Sequence, residues 1–120
     1  MNGEIFLVDD NSGNLSLLAG ILRGVGLRVR AANTGKRALT MIRAQRPELV
    51  MLDITMPERN GMGALNHIMA TSPEARVIMC SALGEETVVK ECIDTGAKAF
   101  VVKPFDPAEV VSAVGEALAA

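Results

Sequence analysis

The chain has 120 residues, 49% hydrophobic and 22% charged, the size of one ordinary soluble domain with an expected radius of gyration of about 14 Å. Twelve basic side chains against fourteen acidic ones leave a net charge of −2, a balance that argues against intrinsic disorder and against a chain that is basic overall. Aromatic residues make up only 2% (Phe6, Phe100 and Phe105, with no Trp or Tyr), which counts against stacking platforms for single-stranded nucleic acid and against cation cages, and requires an aliphatic core.

The N-terminus MNGEIFLVDD has neither a charged leader nor a cleavage site, and no apolar run approaches the ~18 residues of a membrane span, so a cytoplasmic location without membrane contact is expected. The segment Glu4–Val8 (EIFLV) is nearly continuous in apolar residues, as a strand covered on both faces of a parallel sheet reads. Leu15, Leu18, Ala19 and Leu22 then follow at i, i+3, i+4 and i+7, the buried stripe of a helix that Gly24 and Gly26 stop. Leu27–Ala32 is a second strand, and Ala38, Met41 and Ile42 mark a second helix opened by Gly35 and barred by Pro47. Glu48–Leu52 (ELVML) is a third strand, followed by a helix buried through Leu65, Ile68 and Met69. Arg76–Cys80 leads to a fourth helix, with Val89, Cys92 and Ile93 inward and Thr95-Gly96 at its end. Lys98–Val102 completes the strands, and Asp106-Pro107 caps and opens a last helix with Val110, Val111, Val114 and Leu118 on its inner face. Cys80 and Cys92 form no metal-ligand pattern and read as small buried hydrophobes in a reducing compartment.

This alternation predicts an α/β fold, a single (βα)5 domain over residues 1–120 with no linker, repeat or low-complexity tract. Right-handed crossovers make it a doubly wound parallel five-stranded sheet, whose ligand site lies beyond the carboxyl ends of the strands. Those ends carry chemistry. The first strand runs into Asp9-Asp10, the third into Asp53, the fourth into Ser81 and the fifth into Lys103-Pro104. Singly each has a plain alternative: Asp9-Asp10 or Ser81 as helix caps, Asp53 as a loop residue, Lys103 as a surface charge. Together they crowd three carboxylates, a hydroxyl and an ammonium on one rim. Such a rim suits a hard divalent cation such as Mg2+, with phosphoryl transfer onto Asp53 as the chemistry.

Asp9-Asp10, Asp53-Ile-Thr-Met-Pro57 with Gly61, Ser81-Ala82 and Lys103-Pro104-Phe105 resemble a response-regulator receiver domain of chemotaxis type, over essentially the whole chain. The resemblance implies a flavodoxin-like strand order 2-1-3-4-5. It implies that Asp53 accepts a phosphoryl group from the phosphohistidine of a histidine kinase or histidine phosphotransfer protein. By the same resemblance Asp10, Asp53 and the Thr55 carbonyl hold Mg2+, with Asp9 assisting through water. Lys103 pairs with the phosphoryl oxygens and its bond to Pro104 is cis, Ser81 hydrogen-bonds the phosphoryl group, and small Ala82 leaves it room. Phe100 takes the place of a switch aromatic, although a strand position explains a buried Phe equally well. Such a domain assists its own phosphotransfer and dephosphorylation and is not a dedicated turnover enzyme. Leu83, which cannot orient a water, is expected to slow loss of the phosphoryl group.

Charge is segregated along the chain: residues 11–47 hold seven basic side chains and no acidic one, whereas residues 48–120 hold five basic and eleven acidic. With the 2-1-3-4-5 order, the fourth helix, fifth strand and fifth helix form an acidic face, which reads either as ordinary solvated surface or as the docking site of a basic output partner. The fifth helix lacks the basic residues of charge-paired receiver dimers, and the basic stretch has no recognition motif, so direct DNA binding is not expected. His67, away from the rim, reads as a surface or packing residue. Two rival classes remain: a haloacid-dehalogenase-type phosphohydrolase, which also phosphorylates a strand-end Asp, and a flavodoxin-like small-molecule binder. The first would need a later Gly-Asp pair and a cap domain; the second would need a phosphate loop and aromatics over a flavin. None of these is visible.

Overall fold

The computed structural model describes residues 3–53, 61–82 and 86–119. Strands and helices alternate strictly: β1 Glu4–Val8, α1 Ser12–Gly24, β2 Arg28–Ala32, α2 Gly35–Gln45, β3 Leu49–Asp53, α3 Gly61–Thr71, β4 Val77–Ser81, α4 Glu86–Thr95, β5 Ala99–Val102 and α5 Pro107–Ala119. All neighbouring strands pair in parallel, in the order β2-β1-β3-β4-β5. The expected doubly wound sheet is therefore present, with a radius of gyration of 12.6 Å.

Side chains alternate across the sheet, which divides the core into two layers. Phe6, Val8, Val50, Leu52, Val77 and Met79 face one way and meet Ala38, Leu39 and Ile42 of α2, Ala64, Leu65 and Ile68 of α3, and Cys92 of α4. Ile5, Leu7, Leu49, Met51, Ile78, Cys80 and Val101 face the other way and meet Leu18 and Leu22 of α1 and Val110, Val114 and Ala117 of α5. The central strands β3 and β4 are buried at every position, which is why their sequences are nearly unbroken apolar runs. The edge strand β2 shows Arg28 and Arg30 to solvent instead. Phe6 is 1% exposed, as a core residue should be.

Helix ends follow local chemistry. Asn11 caps α1, its side chain accepting the Asn14 N–H at 3.0 Å, and Thr34 caps α2 through the Arg37 N–H at 3.2 Å. Asp106 Oδ1 accepts the Ala108 N–H at 3.0 Å ahead of Pro107. After α2 the chain turns through Arg46 in the left-handed region before Pro47. One expected core position is corrected: Ile93 is 42% exposed, because α4 meets the sheet through the stripe of Val88 and Cys92 and leaves Ile93 on its outer side. Among the described residues no helix is long and apolar enough to cross a membrane.

Candidate phosphoacceptor site

The first crossover carries the chain from β1 to β2 on one side, and the next returns it to β3 on the other, so the strand order switches between β1 and β3. Asp9 follows β1 and Asp53 ends β3, which sets both carboxylates at the carboxyl-end crevice of that switch point. Asp53 is 2% exposed and Asp9 2%, whereas Asp10 is exposed. Carboxylate oxygens of Asp9, Asp10 and Asp53 lie within 4.8 Å of one another.

Lys103, one residue beyond β5, reaches back over the sheet. Its Nζ is 3.0 Å from Asp9 Oδ2 and 3.2 Å from Asp53 Oδ1, and 6.0 Å from the centroid of the Phe105 ring. Its backbone N–H donates to the Ser81 carbonyl at 2.9 Å, and the Lys103–Pro104 peptide bond is cis. Burial alone would lower the Lys103 pKa, but the hydrogen bond to Asp9 and the charges of Asp53 and Asp9 outweigh it and hold the ammonium above the ordinary lysine range. Ser81, at the end of β4, is fully buried, and Phe100 on β5 is half-buried against the layer beneath α2, α3 and α4.

The structure thus gathers Asp9, Asp10, Asp53 and Lys103 and places Ser81 at the end of the strand between Asp53 and Lys103. Thr55 and Leu83 lie outside the described residues. The two aspartates after β1 differ in role more than their adjacency indicates. Asp9 Oδ1 accepts the Asn11 N–H at 2.9 Å and its Oδ2 faces Asn14 Nδ2 at 3.3 Å, so Asp9 is tied into the start of α1 while Asp10 is left in solvent. Asn11, not the aspartates, caps the helix. Asn14 is the site neighbour that sequence reasoning missed; the only signal was a polar residue one turn after the strand-end acids. Among the described residues one ammonium faces three carboxylates, which leaves surplus negative charge, and an all-oxygen donor set of this kind fits a hard divalent cation. His67 lies elsewhere, half-buried on α3 with Nε2 3.1 Å from Arg43 Nη2 of α2.

Residues 5–115 match the family model of the response regulator receiver domain, and the chain belongs to that family. It is 39% identical over 117 residues to the chemotaxis protein CheY of Thermotoga maritima, covering 97% of this chain and 98% of the relative. The CheY of Bacillus subtilis is 40% identical over 119 residues, covering 98% and 99% respectively. Among solved structures, the CheX–CheY–BeF3–Mg2+ complex from Borrelia burgdorferi superposes with a TM-score of 0.92 at 38% identity, over 94% of this chain and 87% of that one. NtrX of Brucella abortus superposes with a TM-score of 0.91 at 34% identity, but the chain spans only 26% of the length of that protein.

Proposed function

We propose that this receiver domain takes a phosphoryl group on Asp53 from the phosphohistidine of a histidine kinase or histidine phosphotransfer protein. In the transfer an Asp53 carboxylate oxygen attacks phosphorus, the O–P bond forms and the imidazole N–P bond breaks, and the histidine leaves as neutral imidazole after taking up a proton. The single observation that carries this reading is the convergence of Asp53 with Lys103, at 3.2 Å, and with the carboxylates of Asp9 and Asp10, within 4.8 Å. A magnesium ion bound there would neutralise charge on the phosphoryl oxygens. Asp10, Asp53 and the Thr55 carbonyl are the groups proposed to hold it, with Asp9 assisting through water. Lys103 is already positioned beside the acceptor oxygen, where its ammonium offsets charge without reorganisation.

Downstream, Ser81 turns its hydroxyl to the phosphoryl oxygens and Phe100 moves into the space released, remodelling the surface of α4, β5 and α5. That surface carries Glu91, Asp94, Asp106, Glu109 and Glu116 and suits a protein partner with basic residues. The domain serves this relay without being a dedicated turnover enzyme. Incubation with Mg2+ and acetyl phosphate, read by intact mass, tests the reading: the parent gains one phosphoryl group and Asp53→Asn does not. A gain that persists in Asp53→Asn overturns it.

A further inference from the structure

At the pole of the sheet opposite the carboxylate rim, the end of α2, the start of β3 and the segment between α3 and β4 enclose a half-open cavity of about 250 Å³. Val50 on its floor stands three residues before Asp53, so roughly 10 Å of strand separates this cavity from the proposed acceptor. The floor is apolar, made by Ile42 of α2, Val50 of β3 and Ala75. Arg46, Glu74 and Arg76 stand at its walls.

Arg46 is the feature that calls for a reason. Among the described residues it is the one non-glycine residue with a positive φ, at 41°. Glycine is the usual residue after a helix in this left-handed conformation, because a Cβ is crowded there. The chain thus carries backbone strain that glycine would relieve, and strain of this kind concentrates where a side chain is used. What the strain retains is an arginine on the cavity lining whose guanidinium forms no ion pair with any described residue. Glu48, also on the lining, is engaged elsewhere: its Oε2 accepts the Glu4 N–H at 2.6 Å.

We propose that this cavity binds small organic monocarboxylates, with the carboxylate held in the fork of Arg46 and a compact apolar body resting on Ile42, Val50 and Ala75. The volume is several times that of a water-sized or simple inorganic ion, each water occupying about 30 Å³ of liquid, and the floor offers such an ion nothing. The planar guanidinium matches a carboxylate with two parallel N–H···O bonds. Arg76 acts electrostatically on the Glu48 carboxylate, also on the lining, which leaves Glu74 to oppose a second negative charge and so to select monoanions.

Titration of the isotope-labelled full chain with benzoate, followed through amide chemical shifts, tests the site, with benzyl alcohol and inorganic phosphate as probes lacking the charge or the apolar body. Benzoate shifts are expected to saturate and to cluster at residues 46–50 and 72–76, with each control binding at least about tenfold more weakly. Arg46→Gly should weaken benzoate by at least about tenfold, the loss of one charge-assisted fork, while melting no lower than the parent because the strained φ is relieved. Scattered or non-saturating shifts, equal binding of either control, unchanged affinity in Arg46→Gly, or a lower melting temperature in that variant would each overturn the proposal.

Discussion

The ammonium of Lys103 lies 3.2 Å from Asp53 Oδ1 and so joins the carboxyl ends of β5 and β3 across the intervening β4. The same ammonium reaches Asp9 at 3.0 Å, which draws the end of β1 into the same cluster. One cation therefore pairs with two buried carboxylates and links the carboxyl ends of β1, β3 and β5.

This arrangement fixes the sign of two substitutions. Removing Lys103 leaves Asp9 and Asp53 buried without their counter-charge, so Lys103→Met should destabilise the metal-free protein by about 3 kcal/mol. Asp53→Asn reduces the repulsion among the three carboxylates and should stabilise it, by about 1–2 kcal/mol. Urea denaturation in the presence of a chelator gives both values. Equal shifts of the same sign would contradict the electrostatic account.

Stability should fall at high pH in two stages. Burial raises the Cys80 thiol far above its ordinary value of 9.0, so the unfolded chain ionises first and stability declines as pH rises beyond about that value. Lys103 also has a raised pKa in the folded protein. Its contribution is fully present below the unfolded lysine value of about 10.4 and is lost as pH rises through the folded value. Burial raises the Cys92 thiol as well, so Cys80→Ala should reduce the first stage to the share of Cys92 and leave the second. Denaturation midpoints taken from pH 8 to pH 11, on the order of half a unit apart, resolve the stages; an unchanged slope in Cys80→Ala would refute the assignment.

The aromatic rings should differ in both energy and response. Phe6 is 1% exposed at the centre of its layer, so Phe6→Ala should cost about 3–5 kcal/mol. Phe100 is half-buried, and its loss should cost about half as much. With three Phe and no other aromatic, fluorophenylalanine labelling gives three fluorine signals to follow. On phosphorylation the Phe100 signal should move and the Phe6 signal should stay; a fixed Phe100 signal would remove the switch from the mechanism.

Two glycines provide a contrast in backbone terms. Gly20 is inside α1 with open space where a Cβ would stand, so Gly20→Ala should stabilise by about 0.5–1 kcal/mol. Gly96 has φ +126°, and a Cβ there would meet Met69 Sδ at 2.5 Å, so Gly96→Ala should destabilise by about 2 kcal/mol or more. Thermal melts of the two variants read both signs directly.

The elements of the fold were legible because each strand buried on both faces must be apolar throughout. The runs at EIFLV and ELVML accordingly match β1 and β3 to within one residue. The rim was legible because strand ends in a parallel sheet point the same way, so Asp9, Asp53 and Lys103 could be brought together from strand positions alone. What stayed hidden depends on contacts between residues that share no period. Asp9 bonding to Asn11 and Asn14, Arg43 meeting His67 between helices, and the left-handed Arg46 all arise from the packing of finished elements. Ile93 fits a helical stripe as well as Cys92 does, and only the placement of α4 on the sheet decides which is buried.

The most direct measurement is to treat the acetyl-phosphate-loaded protein with borohydride and map the reduced residue by peptide mass spectrometry. An acyl phosphate on Asp53 would be reduced to an alcohol, leaving homoserine at position 53 and nowhere else. Reduction at Asp9 or Asp10, or a phosphoryl group that resists hydride as a phosphate ester would, would contradict the account.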